Sequence, residues 1–281
     1  AASLAGHLQL GKLIVLYDDN EISIDGPTSL SFSEDVLQRF AAYGWHVDRV
    51  EDGQNGELIQ SAINAAKQQT EKPSLIACRT TIGYGSPNKS GTAGIHGSPM
   101  GDEEIELTKK GLGWPTDEAF LVPGEVREFM DARDAGTAAQ DEWNALFEKY
   151  EGEYPEEAAA FKASMAGELP DGWADALPEF GIDEKMATRA ASGKVLAKIV
   201  PAIPALLGGS ADLTGSNKTD VKGMDYLKSG DYSGRYIHFG VREHGMAAMM
   251  NGMALHGGVI PYGGTFLVFS DYMRGSMRLS A

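Results

Sequence analysis

Short apolar runs alternate with amphipathic stretches along the first half of the chain. Leu13-Ile-Val-Leu-Tyr17 is closed by Asp18-Asp19-Asn20-Glu21 and reads as a buried strand. Ser33-Glu34 then introduces a helix reaching about Tyr43, and His46-Val-Asp-Arg-Val50 reads as the next strand. A helix is expected over 56–69 and a strand over 74–79. Strands alternating with helices predict βαβ units and a parallel sheet. Ligands in such folds bind at the carboxyl ends of the strands, where the polar clusters of this chain fall.

Residues 81–101 break the alternation with a long Gly-rich loop, Thr81-Ile-Gly-Tyr-Gly-Ser-Pro-Asn-Lys-Ser-Gly-Thr-Ala-Gly-Ile-His-Gly-Ser-Pro-Met-Gly101. A loop this long without its own secondary structure is functional or disordered, and its glycines with a single Lys favour a ligand-covering role. From about 138 to 167 the pattern becomes acidic and helical, which reads as a solvated face. Residues 167–180, rich in Pro, Gly and Trp, have the composition of a linker. Alternation resumes near Asp183 with a helix over 184–199 and a strand over 205–208, followed by a polar loop. A strand over 236–239, a helix, a strand over 258–262 and a final helix complete it. The expected organisation is two α/β domains, 1–155 and 184–281, joined by a linker over 156–183.

Composition narrows the partners. Twenty-four basic against 40 acidic side chains give a net charge of -16, which argues against nucleic acid or an anionic membrane surface. A phosphorylated ligand would need a local basic pocket working against that field. Thirty-five glycines fit close approach of backbone to a ligand. The single cysteine, Cys78, cannot form an intrachain disulfide, and a reducing cytoplasmic location is the simplest reading. No run reaches the roughly 18–20 apolar residues of a membrane span. The first residues, Ala1-Ala-Ser-Leu-Ala-Gly-His-Leu8, are already helix-like, and Leu279-Ser-Ala281 stops inside a periodic pattern. Both ends therefore read as those of an internal fragment.

Two clusters carry candidate chemistry. In Tyr236-Ile-His-Phe-Gly-Val-Arg-Glu-His-Gly-Met-Ala-Ala-Met-Met-Asn251, an apolar strand stops at Gly240 and the triplet Arg242-Glu243-His244 opens a helix of small and apolar residues. A carboxylate there either faces desolvation, which favours a shared proton, or simply answers the helix dipole. The second cluster, Asp18-Asp19-Asn20-Glu21-Ile22, offers oxygens at a strand's carboxyl end. These suit a hard cation, though such a cluster taken alone is more often an Asp/Asn-rich turn.

Asp18-Asp19-Asn20-Glu21-Ile22-Ser23-Ile24-Asp25-Gly26 resembles the end of the thiamine-diphosphate motif of transketolases. The resemblance implies that the Asn20 side-chain oxygen and the Ile22 carbonyl ligate the metal bridging the coenzyme diphosphate. That metal would be Mg²⁺, with Ca²⁺ or Mn²⁺ as alternatives. The family's Gly-Asp-Gly, which supplies the metal's carboxylate, would lie before residue 1. Five further segments are similar to the family in the same order. Gly94-Ile-His-Gly-Ser-Pro-Met-Gly101 makes His96 a coenzyme and substrate contact, and Ala187-Thr-Arg189 makes Arg189 a sugar-phosphate contact. The 208–217 loop gives Ser216 the substrate phosphate and sets Asp212 near the thiazolium, with Gly215 where the family usually has Pro. The 236–251 segment makes Glu243 the catalytic carboxylate. Gly264-Thr-Phe-Leu-Val-Phe-Ser-Asp-Tyr272 resembles the aminopyrimidine pocket, in which Phe266, Phe269 and Tyr272 would line one helical face.

What the resemblance implies is a pair of incomplete thiamine-diphosphate-binding-fold domains, a diphosphate-binding domain over 1–155 and a pyrimidine-binding domain over 184–281, with parallel sheets flanked by helices. The implied activity is reversible transfer of a two-carbon ketol unit from a ketose phosphate to an aldose phosphate through a coenzyme ylide, in the pentose phosphate pathway. Glu243 and His96 would be the catalytic side chains, in a homodimer with its site at the subunit interface. A dihydroxyacetone synthase-like enzyme and a catalytically inactive fragment or split subunit remain as rivals.

Overall fold

The computed structural model describes all residues, Ala1–Ala281. The chain divides into two compact units, Ala2–Ala132 and Arg133–Ala281, with Ala1 grouped with the latter.

The first unit begins with α1 (Ala2–His7), β1 (Ile14–Asp19), and a small hairpin of β2 (Ile22–Ser23) and β3 (Gly26–Pro27). It continues with α2 (Val36–Ala42), β4 (His46–Val50), α3 (Gly56–Lys67) and β5 (Ser74–Arg79). The last three strands form a parallel sheet in the order β1-β5-β4. The final strand in sequence is central because its side chains are apolar on both faces, and the period of two sorts them. Leu75 packs with Ala5 and Trp45 on one side, next to half-buried Val36, Leu37 and Phe40 of α2. Ile76 and Cys78 pack on the other side with Val50 and with Ala62 and Ala66 of α3. Asp35 and Asn55 cap α2 and α3 through their side chains, which fixes where each helix begins.

Two helices absent from the expectation follow the Gly-rich loop, α4 (Asp102–Gly111) and α5 (Gly124–Phe129). The loop itself holds one 3₁₀ turn, Ala93–Ile95.

In the second unit α6 (Arg133–Glu153) and α7 (Pro155–Ala166) pack on each other. Every residue of α6 keeps substantial exposure, and a row of rings runs along it through Trp143, Phe147, Tyr150 and Tyr154. Helix α8 (Thr188–Ala202) starts four residues later than expected. A parallel sheet of β6 (Leu206–Ser210), β7 (Tyr236–His238) and β8 (Ile260–Gly264) follows in the order β7-β6-β8. The one-turn helix α9 (Thr214–Asn217) follows β6, α10 (Glu243–His256) follows β7, and α11 (Arg274–Ser280) ends the unit.

Two expectations are corrected. Gly208-Gly209 continue β6 instead of ending it, because a Cβ on Gly209 would sit 1.8 Å from the Ile237 carbonyl oxygen and one on Gly208 2.2 Å from that of Tyr262. Glycine is what lets the two flanking strands approach. The 167–180 stretch contains a 3₁₀ turn, Trp173–Ala176, whose Trp173 packs against Val200, Ile203 and Leu206. It is therefore built into the second unit. The compact units part between Ala132 and Arg133, and α7 lies over the amino ends of β6 and β8, with Ala158 fully buried.

Candidate functional site

Each unit carries its polar cluster at the carboxyl end of its sheet. In the first unit β1 runs into Asp19, Asn20 and Glu21. The Ile22 amide donates to Asn20 Oδ1 at 2.9 Å, closing an Asx turn that puts Glu21 in the left-handed region at φ 57°. Two arginines neutralise the flanking carboxylates: Arg49 reaches Asp19 at 3.3 Å and Arg79 reaches Glu21 at 2.8 Å. Arg79 also donates to the Asp19 carbonyl at 3.1 Å.

The hairpin explains how Ile22 can matter through its backbone. Ser23 pairs with Gly26 and Ile22 with Pro27, and the next ladder bond runs from the Thr28 amide to the Glu21 carbonyl at 2.9 Å. Ile22 is thus a non-hydrogen-bonded position, whose N–H and C=O turn away from the opposite strand. Its amide is taken by Asn20, and its carbonyl points out of the hairpin. Asn20 Oδ1 retains a second lone pair after accepting from Ile22. A cavity of about 680 Å³ opens here, lined among others by Asn20, Ile22, Phe32, Arg49 and Arg79. No group of three or more His, Cys, Asp or Glu residues converges as a metal site. Asn20 Oδ1 and the Ile22 carbonyl are neutral oxygens suited to a hard cation, beside the carboxylates of Asp19 and Glu21 that the arginines pair.

His96 lies at the end of the 3₁₀ turn in the Gly-rich loop. Its Nδ1 is buried without a hydrogen-bond partner. Buried polar atoms are rarely left unpaired, so an imidazole held this way is suited to meeting a ligand's polar group.

In the second unit β6 leads into the loop with Asp212, at φ 59°, and Ser216 on α9; both side chains are exposed. Behind them lies a hydrogen-bonded network that the sequence did not announce. Asn217 Nδ2 donates to Ser210 Oγ at 2.7 Å, and Thr219 Oγ1 donates to Asn217 Oδ1 at 2.8 Å. The Tyr236 hydroxyl lies 2.8 Å from both Thr214 Oγ1 and Thr219 Oγ1. Tyr262 donates to the Thr219 carbonyl at 3.0 Å, and burial pushes its phenol up to about 12. Desolvation likewise raises the Tyr236 phenol. These polar groups are spaced without helical or strand period, so only the folded chain gathers them.

Glu243 is the first residue of α10 and is half-buried, so the desolvation expected from the sequence is partial within this unit. Helix α10 packs against β8 and against the segment carrying the candidate aromatic residues. That segment, Leu267–Met273, is a 3₁₀ helix, which sharpens the expectation of one helical face. At three residues per turn, positions i and i+3 eclipse. Phe266 therefore stacks on Phe269 at 6.0 Å and 17°, and Phe269 on Tyr272 at 6.1 Å and 22°. A second cavity of about 700 Å³ is lined by Arg189, Asn217, Tyr262, Thr265 and Phe266. The Thr265 hydroxyl is a second buried polar atom with no partner.

The structure thus brings Asn20 and Ile22 together in one unit, and Arg189 and Phe266 around one cavity in the other. Asp212 and Ser216 share the loop after β6, and neither lines that cavity among its closest residues. Asn217, Tyr262 and Thr265 were missed; nothing in their local sequence distinguishes them from ordinary turn and strand residues.

Comparison with known proteins accounts for both halves. The family model for the transketolase thiamine diphosphate binding domain matches residues 1–170, and that for the transketolase pyrimidine binding domain matches 184–281. Transketolases of Nostoc sp. and Bacillus subtilis are each 52% identical over the whole chain, which covers 42% of their own lengths. A crystal structure of a Pichia stipitis transketolase in complex with sedoheptulose 7-phosphate superposes with a TM-score of 0.96 at 46% identity, over all of this chain and 43% of that one. A transketolase from Leishmania mexicana gives 0.96 at 48%, over all of this chain and 42% of that one. The chain spans less than half the length of these relatives. With two family models matched in order and the parallel α/β sheets superposed throughout, this chain belongs to the transketolase family.

Proposed function

We propose that these residues form the coenzyme-handling part of a transketolase, which moves a two-carbon ketol unit from a ketose phosphate to an aldose phosphate. The observation that carries this reading is the placement of Glu243. It opens α10, the helix that packs against the stacked Phe266, Phe269 and Tyr272 rings. That column offers a stacking surface to an aromatic ring system. The family's group there is thiamine diphosphate, which supplies a carbon nucleophile able to hold the two-carbon unit between donor and acceptor.

The residues present fit such a group. Two buried polar atoms lack partners, His96 Nδ1 and Thr265 Oγ1. Asn20 Oδ1 and the Ile22 carbonyl are the oxygens that would hold a divalent metal, Mg²⁺ by preference, against the diphosphate. Glu243 would hold a proton on a ring nitrogen of the coenzyme, general acid–base assistance of a kind typically worth roughly 10²–10⁴-fold. Arg189 lines its cavity with a planar fork suited to a sugar phosphate. His96 and Ser216 would orient the sugar, and Asp212 would place charge near the reacting carbon. The same reading extends to a cytoplasmic homodimer in the pentose phosphate pathway, and no helix is long and apolar enough to cross a membrane.

The test is ketol transfer from xylulose 5-phosphate to ribose 5-phosphate by a full-length family protein carrying these 281 residues in register, with formaldehyde as the competing acceptor. Glu243→Ala is expected to abolish turnover while leaving circular dichroism unchanged; near-normal activity would sink the assignment. For the chain alone, which contains no Gly-Asp-Gly, calorimetric titration with thiamine diphosphate and Mg²⁺ is expected to give weak or no binding. Micromolar affinity would overturn that expectation.

A further inference from the structure

The Gly-rich loop that presents His96 is not free, and the group that holds it lies outside every segment resembling the family's motifs. Glu104, in the first turn of α4, is only 8% exposed and points into the base of the loop. Its Oε1 accepts the Ser86 hydroxyl and the Asn88 amide, the latter at 2.9 Å, and its Oε2 accepts Asn88 Nδ2 at 2.9 Å. Three donors on one carboxylate define the path of residues 86–88.

From there the contacts run to His96 without a break. Ser86 Oγ accepts the Lys89 amide at 3.0 Å. The Lys89 carbonyl accepts the Thr92 hydroxyl at 2.7 Å and the Thr92 amide at 3.2 Å, and Thr92 immediately precedes the 3₁₀ turn, Ala93–Ile95, that leads into His96. The Lys89 ammonium reaches past His96 to the far side of the loop, donating to the Met100 carbonyl at 2.7 Å and that of Pro99 at 3.5 Å. Lys89 thus brackets His96 from both flanks, and Glu104 fixes the segment from which Lys89 departs. Ile95, next to His96, closes against Gly83, where a Cβ would lie 2.4 Å from the Ile95 Cδ1 and φ is 64°.

We propose that Glu104 is the positioning residue of the His96 loop, acting through Ser86, Asn88 and Lys89 to hold the imidazole in its ligand-facing place. This rests on the reading of His96 as a ligand contact, but the positioning itself is a property of the chain alone. The donors around Glu104 hold its carboxyl below the usual carboxylate range, led by the Ser86 hydroxyl, with Asn88 and then the Lys89 charge contributing. Lys89 is the ionisable group that bears on it. A carboxyl with a depressed folded pKa stabilises the loop fully above its unfolded value, and the effect is lost as pH falls through the folded value.

The test compares the 281-residue chain with Glu104→Gln and Lys89→Met, following amide exchange and the His96 ring resonances. Glu104→Gln keeps the shape but turns an amide donor toward Asn88. It is expected to speed exchange of the Asn88, Lys89 and His96 amides by about tenfold or more, as local opening becomes easier. The His96 ring resonances are expected to move while the global unfolding midpoint stays near wild type. Wild type is expected to lose loop protection on acidification below the ordinary carboxylate range, and the Gln variant to show no such step. Lys89→Met is expected to loosen residues 92–100 while sparing 86–88. Unchanged exchange and unchanged His96 ring resonances in Glu104→Gln would overturn the proposal, as would loosening confined to 86–88 with His96 unmoved. His96→Ala, assayed separately for ketose phosphate binding in the full-length protein, tests the ligand role. A null result there leaves the exchange result standing, so the two failures are distinguishable.

Discussion

The buried network behind the Asp212 loop gives a prediction whose size follows from its geometry. Tyr236 is fully buried, and its hydroxyl lies 2.8 Å from both Thr214 and Thr219. Tyr236→Phe removes one oxygen and leaves the ring contacts in place. Thr219 still has Asn217 Oδ1 as acceptor, so its own hydroxyl stays satisfied, whereas Thr214 loses its interior partner. A net hydrogen bond is worth about 0.5–1.5 kcal/mol, and Thr214 is only partly buried, so the expected loss is about 0.5–1.5 kcal/mol. The second unit must be read by itself. Native-state amide exchange of β6 and β7 in increasing urea isolates its opening from that of Ala2–Ala132. A cycle with Thr219→Val should give a coupling of about 1 kcal/mol, since the two hydroxyls touch. Loss below about 0.3 kcal/mol with no coupling would refute the reasoning, because the network would then be an incidental contact and not what fixes the loop.

Three further outcomes are expected. Raising pH from 8 to 11.5 should destabilise the second unit through Tyr262: its folded pKa near 12 lies above the unfolded value, so its contribution is complete below about pH 10 and declines as pH rises further. The difference from Tyr262→Phe in urea unfolding should be about 2 kcal/mol across that window, and identical pH profiles would refute it. Gly209→Ala should prevent β6 and β7 from pairing, since its Cβ meets a backbone oxygen at 1.8 Å, and loss of second-unit exchange protection reports this. Asn20→Ala should free the Ile22 amide and weaken Mg²⁺-dependent thiamine diphosphate binding by the full-length protein at least tenfold by titration, with sugar-phosphate binding to the second unit unaffected.

Sequence alone determined the elements whose cause is local. β4 and β5 have the boundaries expected, because a continuous apolar run closed by polar residues admits few alternatives, and period two then sorts Leu75 from Ile76 onto opposite faces. Glu243 at the start of a helix was legible for the same reason, since strand, glycine and charged triplet are adjacent in the chain. Tertiary structure decided everything that joins distant residues. The sheet orders place the last strand of the first unit and the first strand of the second in the centre, the former because it is apolar on both faces and the latter because Gly208 and Gly209 let both neighbours approach. The 3₁₀ twist that stacks Phe266, Phe269 and Tyr272 depends on where β8 and α10 leave the chain. Asn217, Thr219 and Tyr236 meet only because β6 and β7 pair, and the Ile22 carbonyl turns outward only because the Ser23–Gly26 and Glu21–Thr28 pairings on either side leave it a non-hydrogen-bonded position. Glu104 is one acid among three at the start of α4 in the sequence. In the fold it alone turns inward, because the amides and hydroxyls of a loop 16 residues away in the chain converge on it.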